Sequence, residues 1–425
     1  QRVSDSSGIV EFYRFETERT YHIVKSFKAL DGSTILAPKW GRCISETNHR
    51  PKLGVWLRVN DTLVLEPWQA PVSWDELITI CNKQDIDIMG LLEPVADFIR
   101  DAEQHIALIG FPIPVKFGGV PCQMHWQSIK LPVLSHGKHT ANGFRTNHKG
   151  YWHRDRTEII RSKLPLCWMN SENWNAEQIT TRGRLSQELR QQNILLIGAG
   201  AVGAPLSELL IRGGAYRVGI IDDDSLGIGN LVRHTLSLEN LGEKKAKAIA
   251  ERLNTISPFA SAESIVYKFP PTNQIDIDHI QQYDVIIDCT ADDQLLCQLG
   301  LFPWNTSKLF FSISLGYGAK RMYCFSAFDV RFPTDVFQAE IAPWLTQSHD
   351  QLADREFPWE GIGCWHPVFP ATVDDVWMMA SIAAKYINAN ISSDITTPCL
   401  EVFEQHTDEY GLSNVNRLIY RGTDA

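Results

Sequence analysis

No apolar run in this 425-residue chain approaches the roughly 20 residues of a membrane-spanning helix. The start, Gln1-Arg2-Val3-Ser4-Asp5, has no signal-peptide core. A helical span and an export leader are therefore not expected, and the protein reads as cytoplasmic. Cysteine pairing is also missing. The nine cysteines, at 43, 81, 122, 167, 289, 297, 324, 364 and 399, form no C-x-x-C pair and are odd in number, so neither structural zinc nor a disulfide framework is expected. Basic charge is in short supply as well. A net charge of −10 and an isoelectric point near 5.7 argue against a nucleic-acid or membrane-surface role, because both need a concentrated basic face. Internal repeats and low-complexity tracts are absent. The first residue is Gln rather than Met, so a trimmed chain with a module upstream is expected.

What the chain does contain is enough apolar residue, 44%, for real cores, and enough length for two or three domains. Residues 1–135 mix strand-like runs, such as Gly54–Val59 and Thr62–Leu65, with a helix-like stretch from Ser73 to about Arg100. Strand character returns at His105–Pro114 and from Val120 to Leu134, and this α/β region has no glycine-rich phosphate loop. Residues 136–186 are polar and poor in periodic apolar positions, which predicts a long loop and linker. The histidines of that stretch match no metal-ligand spacing. From about 187 the chain alternates strand and helix. Strands are expected at Ile194–Ile197, Arg217–Ile221, Ser264–Tyr267, Val285–Cys289 and Leu309–Ser314, with helices at Ala204–Ile211, Lys244–Asn254 and Thr372–Ile387. That order predicts a parallel, Rossmann-like sheet.

The most informative block is 194–245. An apolar strand runs into Gly198-Ala199-Gly200-Ala201-Val202-Gly203 and then a helix, aiming unpaired backbone N–H groups and a helix dipole at a phosphate. A dehydrogenase explains the glycines and an acidic residue roughly 20 residues on. It gives no work to Asn230, Arg233 and Lys245. Taken singly, the glycines also fit a plain tight turn, Arg233 a surface ion pair and Lys245 a solvated helix face.

In order, Gly198–Gly203, Asp222-x-Asp224, Asn230-Leu231-x-Arg233, Gly242-x-Lys244-Lys245 and Asp288-Cys289-Thr290-Ala291-Asp292 resemble the adenylation domain of the ubiquitin-activating, ThiF/MoeB superfamily. The resemblance spans about 190–300. It implies ATP and magnesium as cofactors, and attack of a protein's C-terminal carboxylate on the α-phosphate. By the same resemblance Gly198, Gly200 and Gly203 cradle phosphate, Asp222 takes the ribose hydroxyls and Asn230 holds the nucleotide. Arg233 and Lys245 supply fixed cations. Asp292 holds magnesium, with Asp293 as fallback. The family arginine that precedes the first strand, sometimes lent across a dimer interface, corresponds to Arg184 or Arg182. The chain departs from the pattern in three places. His234 replaces a usual Gln, Ala291 is inserted before Asp292, and the Arg233–Lys245 interval is one residue short, which leaves Lys244 as a competitor.

A second stretch, Gly361-Ile362-Gly363-Cys364-Trp365-His366-Pro367, sets a cysteine directly after a glycine-rich step with a histidine two residues on. Its place beyond Asp292 and before the last helix matches the family's transfer cysteine. Cys364 is therefore expected to take the acyl group as a thioester, with His366 lowering its pKa. The segment is most similar to the bacterial activating enzymes of CBASS anti-phage operons. That likeness implies an inactive adenylation-like domain over 1–165, an active one over 187–425, a conjugating-enzyme-like domain before Gln1, and a homodimer. The implied substrate is the C-terminus of a cGAS-like nucleotidyltransferase. The competing readings are a ThiF/MoeB-type sulfur-carrier adenylyltransferase, an NAD(P)-dependent oxidoreductase and a non-enzymatic scaffold.

Overall fold

A computed structural model describes residues 6–418 except 48–49, 115, 117, 138–142, 162, 182, 353–370, 394–396 and 412. It forms two compact units, one of Gln1–Lys39 and Ile44–Asn175, the other of Trp40–Cys43 and Ala176–Ala425.

The first unit is built on seven strands: β1 (Ser7–Glu16), β2 (Thr20–Lys28), β3 (Thr34–Leu36), β4 (Lys52–Arg58), β5 (Ile106–Pro114), β6 (Pro121–Lys130) and β7 (Cys167–Trp168). Their spatial order is β3-β2-β1-β4-β5-β6-β7. β4 and β5 pair parallel and the other pairs are antiparallel. Successive side chains of β4 and β5 alternate between two apolar layers, because strand side chains point to opposite faces. Val55, Leu57, Ala107 and Ile109 face one layer with Trp74, Leu77 and Leu92, while Trp56, Ile106 and Leu108 face another with Phe12 and Phe27.

The helix expected from Ser73 to Arg100 is two helices, Trp74–Lys83 and Ile88–Ala96, separated where Asp85 takes a left-handed φ of 58°. The first starts where the Ser73 hydroxyl accepts the Glu76 N–H at 3.4 Å, and Glu76 accepts the Val72 N–H at 2.7 Å. The stretch 136–186 is not a long loop and linker throughout. It carries the helix His148–Arg154, capped by the Asn147 side chain, and it buries Trp152, Ile160 and Leu166 in the first unit's core. Asp155 is fully buried against Arg100 at 2.6 Å. Exposed histidines and arginines around these few buried positions hide their periodicity in the sequence.

The second unit holds eight strands: β8 (Asn193–Ile197), β9 (Arg217–Ile221), β10 (Ser261–Ile265), β11 (Val285–Asp288), β12 (Lys308–Leu315), β13 (Arg321–Asp329), β14 (Cys399–Thr407) and β15 (Ser413–Arg417). They lie in the order β10-β9-β8-β11-β12-β13-β14-β15. Pairing is parallel from β10 through β12 and antiparallel beyond, so the Rossmann-like sheet expected from the sequence carries an antiparallel extension. The parallel strands are apolar on both faces because helices cover both. Leu196 shares one buried core with Leu206 and Leu210 of the helix Gly203–Arg212, Ile249 of Lys245–Ile256 and Met379 of Val373–Ile391. Leu195 and Ile197 meet Leu295, Leu296 and Leu299 of the helix Asp293–Leu301.

From β8 the chain winds outward to β9 and β10, then returns to β11 on the other side of β8. Strand order thus reverses between β8 and β11, and in open α/β sheets ligands bind outside the carboxyl ends of the strands at such a reversal. No helix among the described residues is long and apolar enough to cross a membrane.

Candidate functional site

The glycine loop leaves the carboxyl end of β8 at that reversal. Gly198 takes a φ of +91°, and a Cβ there would sit 2.8 Å from Thr290 Cγ2, in the turn after β11. A Cβ on Gly203 would strike the Gly198 carbonyl oxygen, whereas one on Gly200 would meet nothing within 4 Å. Two of the three glycines therefore close the turn. The third leaves backbone open to solvent at the start of the helix Gly203–Arg212, where unpaired N–H groups and the helix dipole favour an anion.

Two groups hold the loop from below. Asp222, at the end of β9, accepts the Ala199 N–H at 2.7 Å on Oδ2 and the Asp224 N–H at 2.8 Å on Oδ1. Burial raises its pKa above the ordinary carboxylate value, against these two backbone hydrogen bonds and the nearby Lys245 charge. Each oxygen keeps a lone pair for a further donor such as a ribose hydroxyl. On the other side of Ala199, buried His234 contacts the carbonyl oxygen through Nε2 at 2.7 Å, while Nδ1 accepts the Leu236 N–H at 3.2 Å. An acceptor at Nδ1 places the ring proton on Nε2, so His234 donates to Ala199. Burial lowers its pKa, with Lys245 adding to that effect and the Ala199 carbonyl and Asp222 opposing it.

Lys245 opens the helix Lys245–Ile256, is largely buried, and pairs with Asp224 at 3.0 Å. Lys244, the competing lysine, is exposed and donates to the Asp223 carbonyl at 2.6 Å. Sequence spacing leaves the two level, and burial separates them. Asn230 is exposed in a short 3₁₀ turn, where its Oδ1 accepts the Gly227 N–H at 2.9 Å. Arg233 is half-buried, its N–H on the Asn230 carbonyl at 3.1 Å.

Across the reversal, the fully buried Asp288 accepts from Thr290 Oγ1 at 2.6 Å, the Thr290 N–H at 2.9 Å and Ser312 Oγ at 2.8 Å. Burial raises its pKa as well. Ala291 follows with a left-handed φ of 54°, which accommodates the extra residue of this turn. Asp292 then caps the helix Asp293–Leu301, its Oδ1 accepting the Gln294 N–H at 2.9 Å. This exposed carboxylate stands two residues beyond Thr290, which a Cβ on Gly198 would strike. The cap occupies one lone pair of about four on a carboxylate, so Asp292 fits as one ligand of a magnesium ion completed by phosphate oxygens.

Sequence reasoning named a second acidic group here, Asp222–Asp224, without considering it as a metal site. Asp222, Asp223 and Asp224 bring their carboxylates within 4.8 Å of one another, although Asp222 is engaged by amides and Asp224 by Lys245.

Arg184 is not brought to the loop within this chain. It pairs with Glu177 at 2.9 Å, beside Leu185, whose N–H bonds to Gly213. Gly213 ends the ten-residue helix that Gly203 begins, about 15 Å away at 1.5 Å per residue. Arg182, Cys364 and His366 lie outside the described residues. Cys289 packs against the second unit's core with its thiol pKa pushed well up by burial.

A glycine cradle at the strand-order reversal, with an acidic strand end and a buried lysine, has the form of a nucleotide-binding α/β domain. Residues 172–295 match the ThiF family and residues 1–174 the Cap2 central linker domain, so the chain carries a Cap2-type linker domain followed by a ThiF-family domain. The chain is 35% identical over 378 residues to the "ATP-dependent ubiquitin transferase-like protein Cap2" of Enterobacter hormaechei, covering 87% of this chain and 62% of that relative's length. The "Sulfur carrier protein adenylyltransferase" of Thermus thermophilus is 29% identical over 105 residues, 24% of this chain and 38% of its own. Among solved structures, E. coli MccB with ATP is matched at a TM-score of 0.37 and 14% identity, over 54% of this chain and 64% of that one.

Proposed function

We propose that the second unit activates the C-terminal carboxylate of a protein by adenylation and passes the acyl group to Cys364. The observation that carries this reading is the grip on Ala199. An acidic strand end and a buried imidazole hold the amide and the carbonyl of one residue inside the glycine loop, with a buried, ion-paired lysine alongside. A plain tight turn has no need of this apparatus. It supports a rigid receptor for phosphate. The likeness to a relative described as an ATP-dependent ubiquitin transferase supports ATP as the nucleotide.

In this reading the open backbone at Gly200 receives phosphate, Asp222 accepts ribose hydroxyls and Asn230 donates its side-chain amide to the nucleotide. Arg233 and Lys245 oppose the charge that builds on the phosphate, Lys245 being held in place by Asp224. Asp292 holds magnesium, which when bound neutralises phosphate charge. An oxygen of the acyl donor's carboxylate bonds to the α-phosphorus as that phosphorus loses its bridging oxygen, releasing pyrophosphate. The Cys364 thiolate then bonds to the acyl carbon, and AMP leaves with the acyl–phosphate oxygen. The first unit, without a phosphate loop, serves a non-catalytic role.

The finer assignments rest on the family resemblance. They are a cGAS-like nucleotidyltransferase as acyl donor, CBASS anti-phage signalling as the setting, a conjugating-enzyme-like domain upstream, and a cytoplasmic homodimer in which Arg184 or Arg182 reaches a partner's nucleotide. The test is ATP–pyrophosphate exchange with peptides ending in candidate C-termini. Exchange with a nucleotidyltransferase terminus supports the whole reading, and exchange with a sulfur-carrier terminus redirects it to cofactor synthesis. No exchange with any terminus overturns it.

A further inference from the structure

The strongest unused feature is the buried imidazole beneath the phosphate loop. Resting on the nucleotide reading above, we infer that His234 is the positioning residue that sets the glycine loop in its anion-receiving form, and that it does so only as the neutral Nε2–H tautomer.

The Ala199 carbonyl has to turn away from the ligand for the Gly200 N–H to face it, since in a planar trans peptide the C=O and the following N–H point in opposite directions. His234 Nε2–H takes that carbonyl at 2.7 Å, and Asp222 takes the Ala199 N–H at 2.7 Å from the other side. Each peptide flanking Ala199 is thereby held by one bond, the first through its N–H and the second through its C=O. His234 is in turn fixed by the Leu236 N–H on Nδ1 at 3.2 Å. A ring proton on Nδ1 would turn this acceptor into a donor facing a donor.

The charged groups facing His234 are Asp222 from the end of β9 and Lys245 from the start of its helix. Burial, helped by Lys245, holds the imidazole neutral, and the bond to the Ala199 carbonyl together with Asp222 only partly offsets it. The sign follows. Because the folded pKa lies below the ordinary imidazole value, the clamp is intact at neutral pH and is lost as pH falls through that lowered value. Nucleotide binding therefore carries an acid limb that belongs to His234.

Glutamine offers the same pair of functions, an N–H donor and an oxygen acceptor, without titrating near neutrality. Leucine offers neither. The test compares wild type, His234→Gln and His234→Leu by ATP binding across pH 5 to 8, and by amide hydrogen exchange of the 198–203 segment at pH 7.5 without nucleotide. His234→Leu is expected to raise the Kd for ATP about tenfold, equivalent to about 1.4 kcal/mol, and to speed exchange across the loop. His234→Gln is expected to restore tight binding while abolishing the acid limb. An unchanged acid limb in His234→Gln overturns the tautomer requirement, and unchanged loop protection in His234→Leu overturns the clamp. The exchange measurement needs neither ATP nor an acyl donor. Loss of pyrophosphate exchange with the clamp intact therefore counts against the adenylation reading alone.

Discussion

At the scale of single residues, the site is organised by buried polar groups that face no solvent and so depend on their partners. Asp288 is the extreme case. Its carboxylate is wholly buried, fully hydrogen-bonded and shifted upward in pKa by desolvation. A carboxyl whose folded pKa lies above its unfolded value contributes stability that is present at low pH and lost as pH rises through the folded pKa. The Asp288→Asn variant keeps the Thr290 bonds on its amide oxygen, and the Ser312 hydroxyl can rotate to accept from the amide nitrogen. It removes the buried charge. Urea unfolding of the second unit at pH 7 is expected to show a gain on the order of 1 kcal/mol for this variant, and a smaller fall in stability between pH 4 and 7. Equal stabilities at both pH values would show that the carboxyl stays neutral throughout. Ala291 makes a second residue-scale test. At a φ of 54° an alanine carries strain that glycine does not. Ala291→Gly is expected to stabilise by about 0.5–1 kcal/mol in the same measurement, after the added entropy of glycine in the unfolded chain is counted.

At the scale of elements, Asp292 belongs to two structures at once, the cap of the helix Asp293–Leu301 and the proposed magnesium site. Substitution separates them. Asn caps a helix as well as Asp does, whereas Ala costs about 1 kcal/mol at such a position. Asp292→Asn should therefore leave thermal stability near wild type and remove magnesium-dependent pyrophosphate exchange. Asp292→Ala should lose both. Exchange that persists in Asp292→Asn would move the metal to Asp293 or to the Asp222–Asp224 group. Elements also mark how far the sequence could be read. The parallel strands β8, β9, β11 and β12 stand out as short apolar runs because helices cover both faces of that sheet. The loop after β8 was legible for a different reason, since closing that turn admits glycine and little else. β14 and β15 were not legible, because their exposed polar positions, such as His406, Thr407 and Asn414, obscure the pairing pattern. The helix His148–Arg154 was hidden in the same way. Its single buried residue, Trp152, is flanked by histidine, lysine and arginine, and one position shows no period. The role of His234 was half visible. The sequence marked it as a Gln-like substitute, but only the fold brings the Ala199 carbonyl, 35 residues earlier, to its ring.

At the scale of the whole molecule, the proposed reaction joins a site built at the reversal of one sheet to a cysteine far along the chain. In that proposal adenylation depends on the Gly198–Gly203 cradle, Arg233, Lys245 and Asp292, and thioester transfer on a thiol that enters only after AMP is in place as leaving group. These two half-reactions are separable in one full-length protein. Cys364→Ala is expected to keep pyrophosphate exchange within about twofold of wild type, since the thiol acts after the exchanging step, and to abolish a thiol-reducible acyl adduct seen on non-reducing gels. Among the described cysteines, Cys122, Cys167 and Cys297 are exposed, while Cys81 and Cys324 are buried with their thiol pKa values pushed up, that of Cys81 to about 12. If the adduct survives in Cys364→Ala, one of the three exposed thiols carries it. Cys297 is then the first to test, because its helix Asp293–Leu301 begins beside Asp292 at the proposed site. If exchange and adduct are lost together, the 361–367 segment takes part in nucleotide binding itself, and the order of the two steps proposed here fails.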